Sequence, residues 1–97
     1  MTCTVLLEIK VKPEHIAGQA EGFKAILPDT RSFDGCIGLF VSQNQDDPSN
    51  FVIVETWETR QKYEAYLAWR VERGDIEAMA ATLEGEPSIR YFDRLGC

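Results

Sequence analysis

Phe51 to Glu58 read FVIVETWE. A β-strand sends successive side chains to opposite faces. Phe51, Ile53, Glu55 and Trp57 therefore share one face, and Val52, Val54, Thr56 and Glu58 share the other. Both faces carry apolar residues, which places this strand in the middle of a sheet or under cover on both sides. The rest of the chain must then supply neighbouring strands and a covering layer.

Upstream, Cys3, Val5, Leu7, Ile9 and Val11 alternate with mostly polar neighbours and predict a strand with one buried face. Pro13 suits a first helical position, and Glu14 suits the positive end of that helix. Ile16, Ala20, Phe23 and Leu27 then form one apolar stripe. Pro28 is expected to break or kink this helix, with PDTRSFDG adding a short turn before Gly35. CIGLFVSQ predicts a second strand, and NQDDPSN a hairpin loop into the strand at Phe51. Residues 60–73 predict a second long helix, interrupted by Gly74. Asp75 is expected to cap a short further helix with Ile76, Met79, Ala80 and Leu83 on one side. PSIRYFDRL predicts the last strand.

The order is β-α-β-β-α-β. It predicts an α+β, ferredoxin-like fold, an antiparallel sheet with helices on one face. The 97 residues suit a single domain spanning 1–97, with a thin core. The other sheet face is also apolar, so a second subunit is expected to cover it.

The net charge of -6 argues against nucleic acid as a partner, because phosphate backbones are bound mainly by Lys and Arg. Cys3, Cys36 and Cys97 are odd in number and form no CxxC pair, which fits reduced thiols in a cytoplasmic protein. Cys36 is expected as a small core residue. No basic stretch precedes an apolar block at the N-terminus, and no segment is long enough to span a membrane. His15, the only histidine, sits near a helix start, so no His-rich metal site is expected. The glycines match neither GxGxxG nor a P-loop, and no serine lies in GxSxG.

A helix turns about 100° per residue, so Tyr63, Tyr66, Leu67 and Arg70 fall within one stripe. A buried arginine there needs a partner, and Glu55 is one candidate. Two readings stay open. Arg70 is either part of a structural ion pair, or packed along its stem with its head in water. Alternatively it faces a cavity and holds an oxyanion or enolate. Trp57 and Tyr63 are likewise either core packing or pocket walls.

VKPEH, TRSFDGCIGLFVSQNQDDP and FVIVETWETRQKYEAYLAWR resemble the antibiotic biosynthesis monooxygenase family. F-x-x-x-E-x-W followed by an aromatic helix is the clearest part, and the resemblance covers nearly the whole chain. It implies a homodimer whose sheets face each other as an α/β-barrel, with a pocket in each subunit between sheet and helices. Oxygenase members oxidise electron-rich aromatics such as quinols and anthrones, often without flavin, haem or metal. By position, Trp57 resembles the strand tryptophan that lines the pocket, and Tyr63 a pocket tyrosine. With the helical stripe added, Trp57, Tyr63 and Arg70 form the expected catalytic set. Glu55, Tyr66, Phe23 and Ile53 are the expected substrate contacts. No cofactor is expected, and the expected partners are a small aromatic substrate and a second copy of the chain.

Two departures narrow the resemblance. The helix histidine that ligates iron in the haem-degrading branch has no counterpart at Tyr66 or Leu67. The strand asparagine found four residues before the tryptophan in some oxygenase members is replaced by Ile53. The functional expectation is a cofactor-independent monooxygenase for a quinol-like or polyketide-like aromatic. The alternatives are a non-catalytic dimer that binds a small aromatic or serves as a stress module, and a domain whose aromatics only pack.

Overall fold

The computed structural model describes residues 2–97. Strand β1 (Cys3–Lys10) leads to a short helix α1 (Pro13–Ile16) and a long helix α2 (Gln19–Ser32). Strands β2 (Cys36–Gln43) and β3 (Asn50–Trp57) follow, then helices α3 (Arg60–Glu72) and α4 (Asp75–Ala80), and strand β4 (Ser88–Asp93). The four strands form one antiparallel sheet in the order β2-β3-β1-β4. This is the ferredoxin-like α+β arrangement expected from the element order. β3 lies between β2 and β1, as its two apolar faces require.

The register sets the two faces. Val5 pairs with Glu55, and Leu7 with Ile53. Val5, Ile9, Phe51, Ile53 and Trp57 are all buried on the helix-covered face. Their neighbours along the strands point the other way. Phe40 and Leu6 both pair with Val54, forming an apolar row across three strands of the uncovered face. Phe40 on that face is 59% exposed, and Phe92 is 46% exposed.

The covered face holds two core clusters. Cys3, Val5, Trp57, Tyr63 and Tyr66 pack at one end of the sheet. Ile9, Val11, Phe51, Ile53 and Leu83 pack at the other. The aromatic helix α3 thus belongs to the Trp57 end.

Two helix boundaries differ from the sequence expectation. The first helical segment breaks at Ala17–Gly18 and then runs through Pro28 to Ser32. Pro28 removes one backbone donor. Its surroundings on α2 are exposed, so water can satisfy the Lys24 carbonyl left behind. Leu27 and Thr30 are buried on either side of the proline, and the Thr30 hydroxyl is hydrogen-bonded to Tyr66 and Arg70 of α3. Asp75 does not cap α4. Gly74, at φ 84°, takes the N-cap position, and the Asp75 carboxylate turns to Arg70 and Arg73 instead.

Candidate active site

Thr59 begins α3 by accepting a hydrogen bond from the Lys62 backbone N–H. Tyr63, Tyr66 and Arg70 then share the buried stripe that their spacing predicts. Trp57, at the end of β3, is fully buried beneath them. Its ring centroid lies 5.6 Å from Tyr63 and 5.1 Å from Tyr66. Phe33 closes the group at 5.3 Å from Tyr66 and 6.3 Å from Trp57. The result is an aromatic box whose rings pack against one another.

Arg70 stands beside this box and is held by protein groups. Its Nε donates to Tyr66 Oη at 2.9 Å, and its Nη1 to Asp75 Oδ2 at 2.9 Å. Its Nη2 donates to the Ile26 carbonyl at 3.0 Å and to Thr30 Oγ1 at 3.1 Å. Thr30 Oγ1 and Tyr66 Oη are themselves 2.7 Å apart. The network ties α2, α3 and α4 together. The expected pairing of Arg70 with Glu55 is absent, because Asp75 occupies that role from the start of α4. Arg70 holds the Asp75 carboxyl below the usual carboxylate range.

Glu55 lies apart from any cation partner among the described residues. It is 4% exposed, and its Oε1 accepts the Trp57 indole N–H at 3.0 Å. Burial pushes the carboxyl up to about 7, and the single indole donor offsets only part of that. Tyr63 is 2% exposed, and its hydroxyl makes no hydrogen bond to a described residue. Burial raises the Tyr63 phenol well above its ordinary value, and the nearby Glu55 charge adds to the rise. Tyr63 therefore stays protonated and can act only as a donor or acceptor. The box thus contains a carboxyl that titrates at neutral pH and a phenol O–H free to donate.

The structure does not bring every expected residue to this place. Ile53 belongs to the cluster at the opposite end of the sheet. Phe23 packs edge-on against Phe51 there, at 6.3 Å, and lines a cleft of about 340 Å³ between α2 and β2. Tyr66 is in the box, but its hydroxyl is taken by Arg70 and Thr30.

Tyr91 escaped the sequence reading. It pairs with Val5 across β1 and β4, and its ring lies 5.8 Å from Tyr63. The Arg60 guanidinium stacks 3.7 Å above it. Tyr91, Arg60 and Cys3 line a second cleft of about 300 Å³. The alternation Ile89, Tyr91 in β4 was a usable signal for an inward-facing ring. Among the described residues no group of three or more His, Cys, Asp or Glu could hold a metal ion. No helix among them is long and apolar enough to cross a membrane.

The family model for antibiotic biosynthesis monooxygenase matches residues 2–73, the stretch from β1 through α3. The chain belongs to the antibiotic biosynthesis monooxygenase family. Solved structures agree with that membership in fold. One antibiotic biosynthesis monooxygenase superposes with a TM-score of 0.84 at 20% identity, covering 96% of this chain and 98% of the other. A conserved protein from Methanosarcina mazei Go1 has the same TM-score and identity, over 95% of this chain and 91% of its own. A candidate antibiotic biosynthesis monooxygenase from Deinococcus radiodurans gives 0.83 at 22% identity, over 100% of this chain and 95% of its own. No curated protein matches the chain. The family match contains Glu55, Trp57, Tyr63 and Arg70, whereas Asp75 and Tyr91 lie beyond it.

Proposed function

We propose that this chain is a cofactor-independent monooxygenase that acts on a small quinol-like or polyketide-like aromatic at the Trp57 end of the sheet. The observation that carries the reading is that two polar groups, the Glu55 carboxyl and the Tyr63 hydroxyl, belong to one aromatic box. Glu55 has a carboxyl poised near neutrality, and the hydroxyl of Tyr63 makes no hydrogen bond to a described residue. Trp57 supplies a flat apolar wall.

In this reading Glu55 accepts a phenolic proton, and Tyr63 donates to the oxyanion that forms. The substrate anion then reduces oxygen without a bound redox group. A quinol with a free ring C–H loses two hydrogens and gains one oxygen atom. The second oxygen atom leaves as water, and the substrate supplies all four electrons. Tyr91 packs on Tyr63 and lines the adjoining cleft, which makes that cleft the side from which a substrate approaches the box in this reading. Arg70 positions Tyr66 and α3 and stands outside the reaction.

A second copy of the chain completes the protein by covering the row Phe40, Val54 and Leu6. The odd cysteine count, without a CxxC pair, supports a reducing cytoplasmic setting.

One observation favours a second reading, a domain whose aromatics at the Trp57 end only pack. Glu55, Trp57 and Tyr63 line neither of the two clefts described above. Oxygen uptake with a naphthoquinol under labelled O₂ separates the two. The monooxygenase places one labelled atom in the product. Uptake no faster than in buffer, with no tryptophan quenching by the quinol, leaves only packing, and quenching without uptake leaves a non-catalytic binding module.

A further inference from the structure

We propose that the cleft between α2 and the β2 edge binds a flat apolar anion of the aromatic carboxylate class, at a site separate from the Trp57 box. The cleft encloses about 340 Å³, at the small end of the range for small-molecule sites. Phe23 and Phe51 form its inner aromatic wall, with Leu27 and Val41 beside them, and Phe40 lines its outer edge, where the cleft meets the uncovered sheet face. Phe51 is only 4% exposed, so the wall is anchored in the core.

The polar lining decides the charge of the ligand. Lys24 and Arg31 line the cleft with Leu27 between them, and Gln43 adds an amide. No carboxylate lines it. The chain as a whole carries 16 acidic and 10 basic residues, so a cleft edged only by cations departs from its average surface. The α-helical repeat puts residues 24, 27 and 31 on one face of α2, which turns both cations toward the same opening.

Both cations are available to a ligand. Arg31 forms no ion pair with a described residue. Lys24 bonds Glu21 at 3.1 Å, but the side chains are 73% and 79% exposed, so water screens that pair. A guanidinium matches a carboxylate with two parallel hydrogen bonds. Arg31 therefore takes the carboxylate, Lys24 adds long-range attraction, and the ring lies against Phe23 and Phe51.

Calorimetric titration with 2-naphthoate and its uncharged analogue 2-naphthamide tests the site. The wild-type chain is expected to bind the anion about fivefold or more tightly than the amide. Arg31→Gln is expected to remove that preference, Lys24→Gln to reduce it, and Tyr63→Phe to leave it unchanged. Amide shifts in NMR spectra are expected at Phe23 and Phe51, with the Trp57 indole signal unmoved. Equal affinity for the two probes overturns the proposal. So does absence of 2-naphthoate binding at millimolar concentration, or a preference that survives Arg31→Gln with Lys24→Gln. Shifts centred on Trp57 overturn it as well, by placing the anion in the box.

Discussion

The Trp57 indole N–H donates to Glu55 Oε1 across 3.0 Å, between two residues on the same face of β3. The bond fixes the carboxyl without replacing the water it loses. One neutral donor is a weaker partner than a hydration shell, so burial prevails and the group titrates at about 7. Stability, and the proposed reactivity, are both tied to that titration.

The stability effect has a definite sign. The Glu55 carboxyl ionises near 4.5 when solvated and at about 7 when folded. Below the lower value both states are protonated, and the group is neutral toward folding. Between the two values the folded state holds the extra proton, so stability falls as pH rises. The full loss is about 3 kcal/mol and is complete somewhat above pH 7. Glu55→Gln retains an acceptor for the indole and removes the titration. Urea denaturation is expected to show the variant more stable than wild type at pH 8 and nearly equal at pH 4.5. Parallel pH profiles for the two proteins rule out a buried Glu55. Asp75, whose carboxyl is held low by Arg70, acts in the opposite direction. Its contribution is present above its solvated value near 3.8 and is lost as the pH falls through its lower folded value.

The proposed chemistry assigns different defects to the two polar groups. Loss of the Tyr63 hydroxyl removes one donor to the forming oxyanion, which lowers kcat about 100-fold. Tyr63→Phe retains the ring and its packing, so the melting temperature is expected to change little. Glu55→Gln removes the proton acceptor and lowers kcat by about 100-fold or more. It is also expected to abolish the rise in rate with pH around 7. Oxygen-electrode measurements across pH check both, and full activity in either variant removes that residue from the mechanism.

Arg70 is expected to behave as a structural residue. Arg70→Ala leaves Thr30, Tyr66 and the Ile26 carbonyl without their shared donor, and the loss is about 3 kcal/mol or more. Arg70→Lys keeps the charge but not the fork that reaches Tyr66, Asp75 and Ile26 together, and is expected to lose about 2 kcal/mol. Chemical denaturation reads both. Oxygen uptake by folded Arg70→Lys is expected to stay within a few-fold of wild type. A large fall in kcat at unchanged stability returns Arg70 to the reaction.

Local periodicity made much of this legible. Period two in FVIVETWE placed Glu55 beside Trp57, and the helical period gathered Tyr63, Tyr66 and Arg70. Apolar residues on both faces of β3 put it inside the sheet. The partner of Arg70 was not legible, because a left-handed turn at Gly74 brings Asp75 back beneath α3. The two clefts were hidden for a related reason. One joins β1 to α3 and β4, from opposite ends of the chain, and the other depends on how α2 docks beside β2 and Phe51 of β3. The break at Gly18 and the passage through Pro28 reflect where α2 is anchored on the sheet, which competes with local propensity.

Gly35 is expected to resist substitution more than Gly74. Both have positive φ, at 92° and 84°. A Cβ on Gly35 would lie 2.7 Å from Lys62 Cβ and 2.5 Å from Lys62 Cδ, whereas one on Gly74 meets nothing within 4 Å. Gly74→Ala therefore has only the left-handed backbone penalty, about 1 kcal/mol. Gly35→Ala adds a clash with the first turn of α3 and is expected to lose about 2 kcal/mol or more. Equal losses in thermal melts contradict the close approach of Gly35 to Lys62.

In the proposed dimer the uncovered sheet face is the contact. Phe40 is more than half exposed in the single chain, and it continues the row through Val54 to Leu6. An apolar row of this kind is stabilised when a second copy places its own row against it. Sedimentation is expected to show a dimer at micromolar concentration. Phe40→Asp puts a carboxylate at the centre of that contact, where desolvating it costs several kcal/mol if it is unpaired. The variant is expected to sediment as a monomer with an unchanged circular dichroism spectrum, because Phe40 lies outside the core of its own chain. A wild-type monomer rejects the interface. A dimer that survives Phe40→Asp moves the contact to another surface.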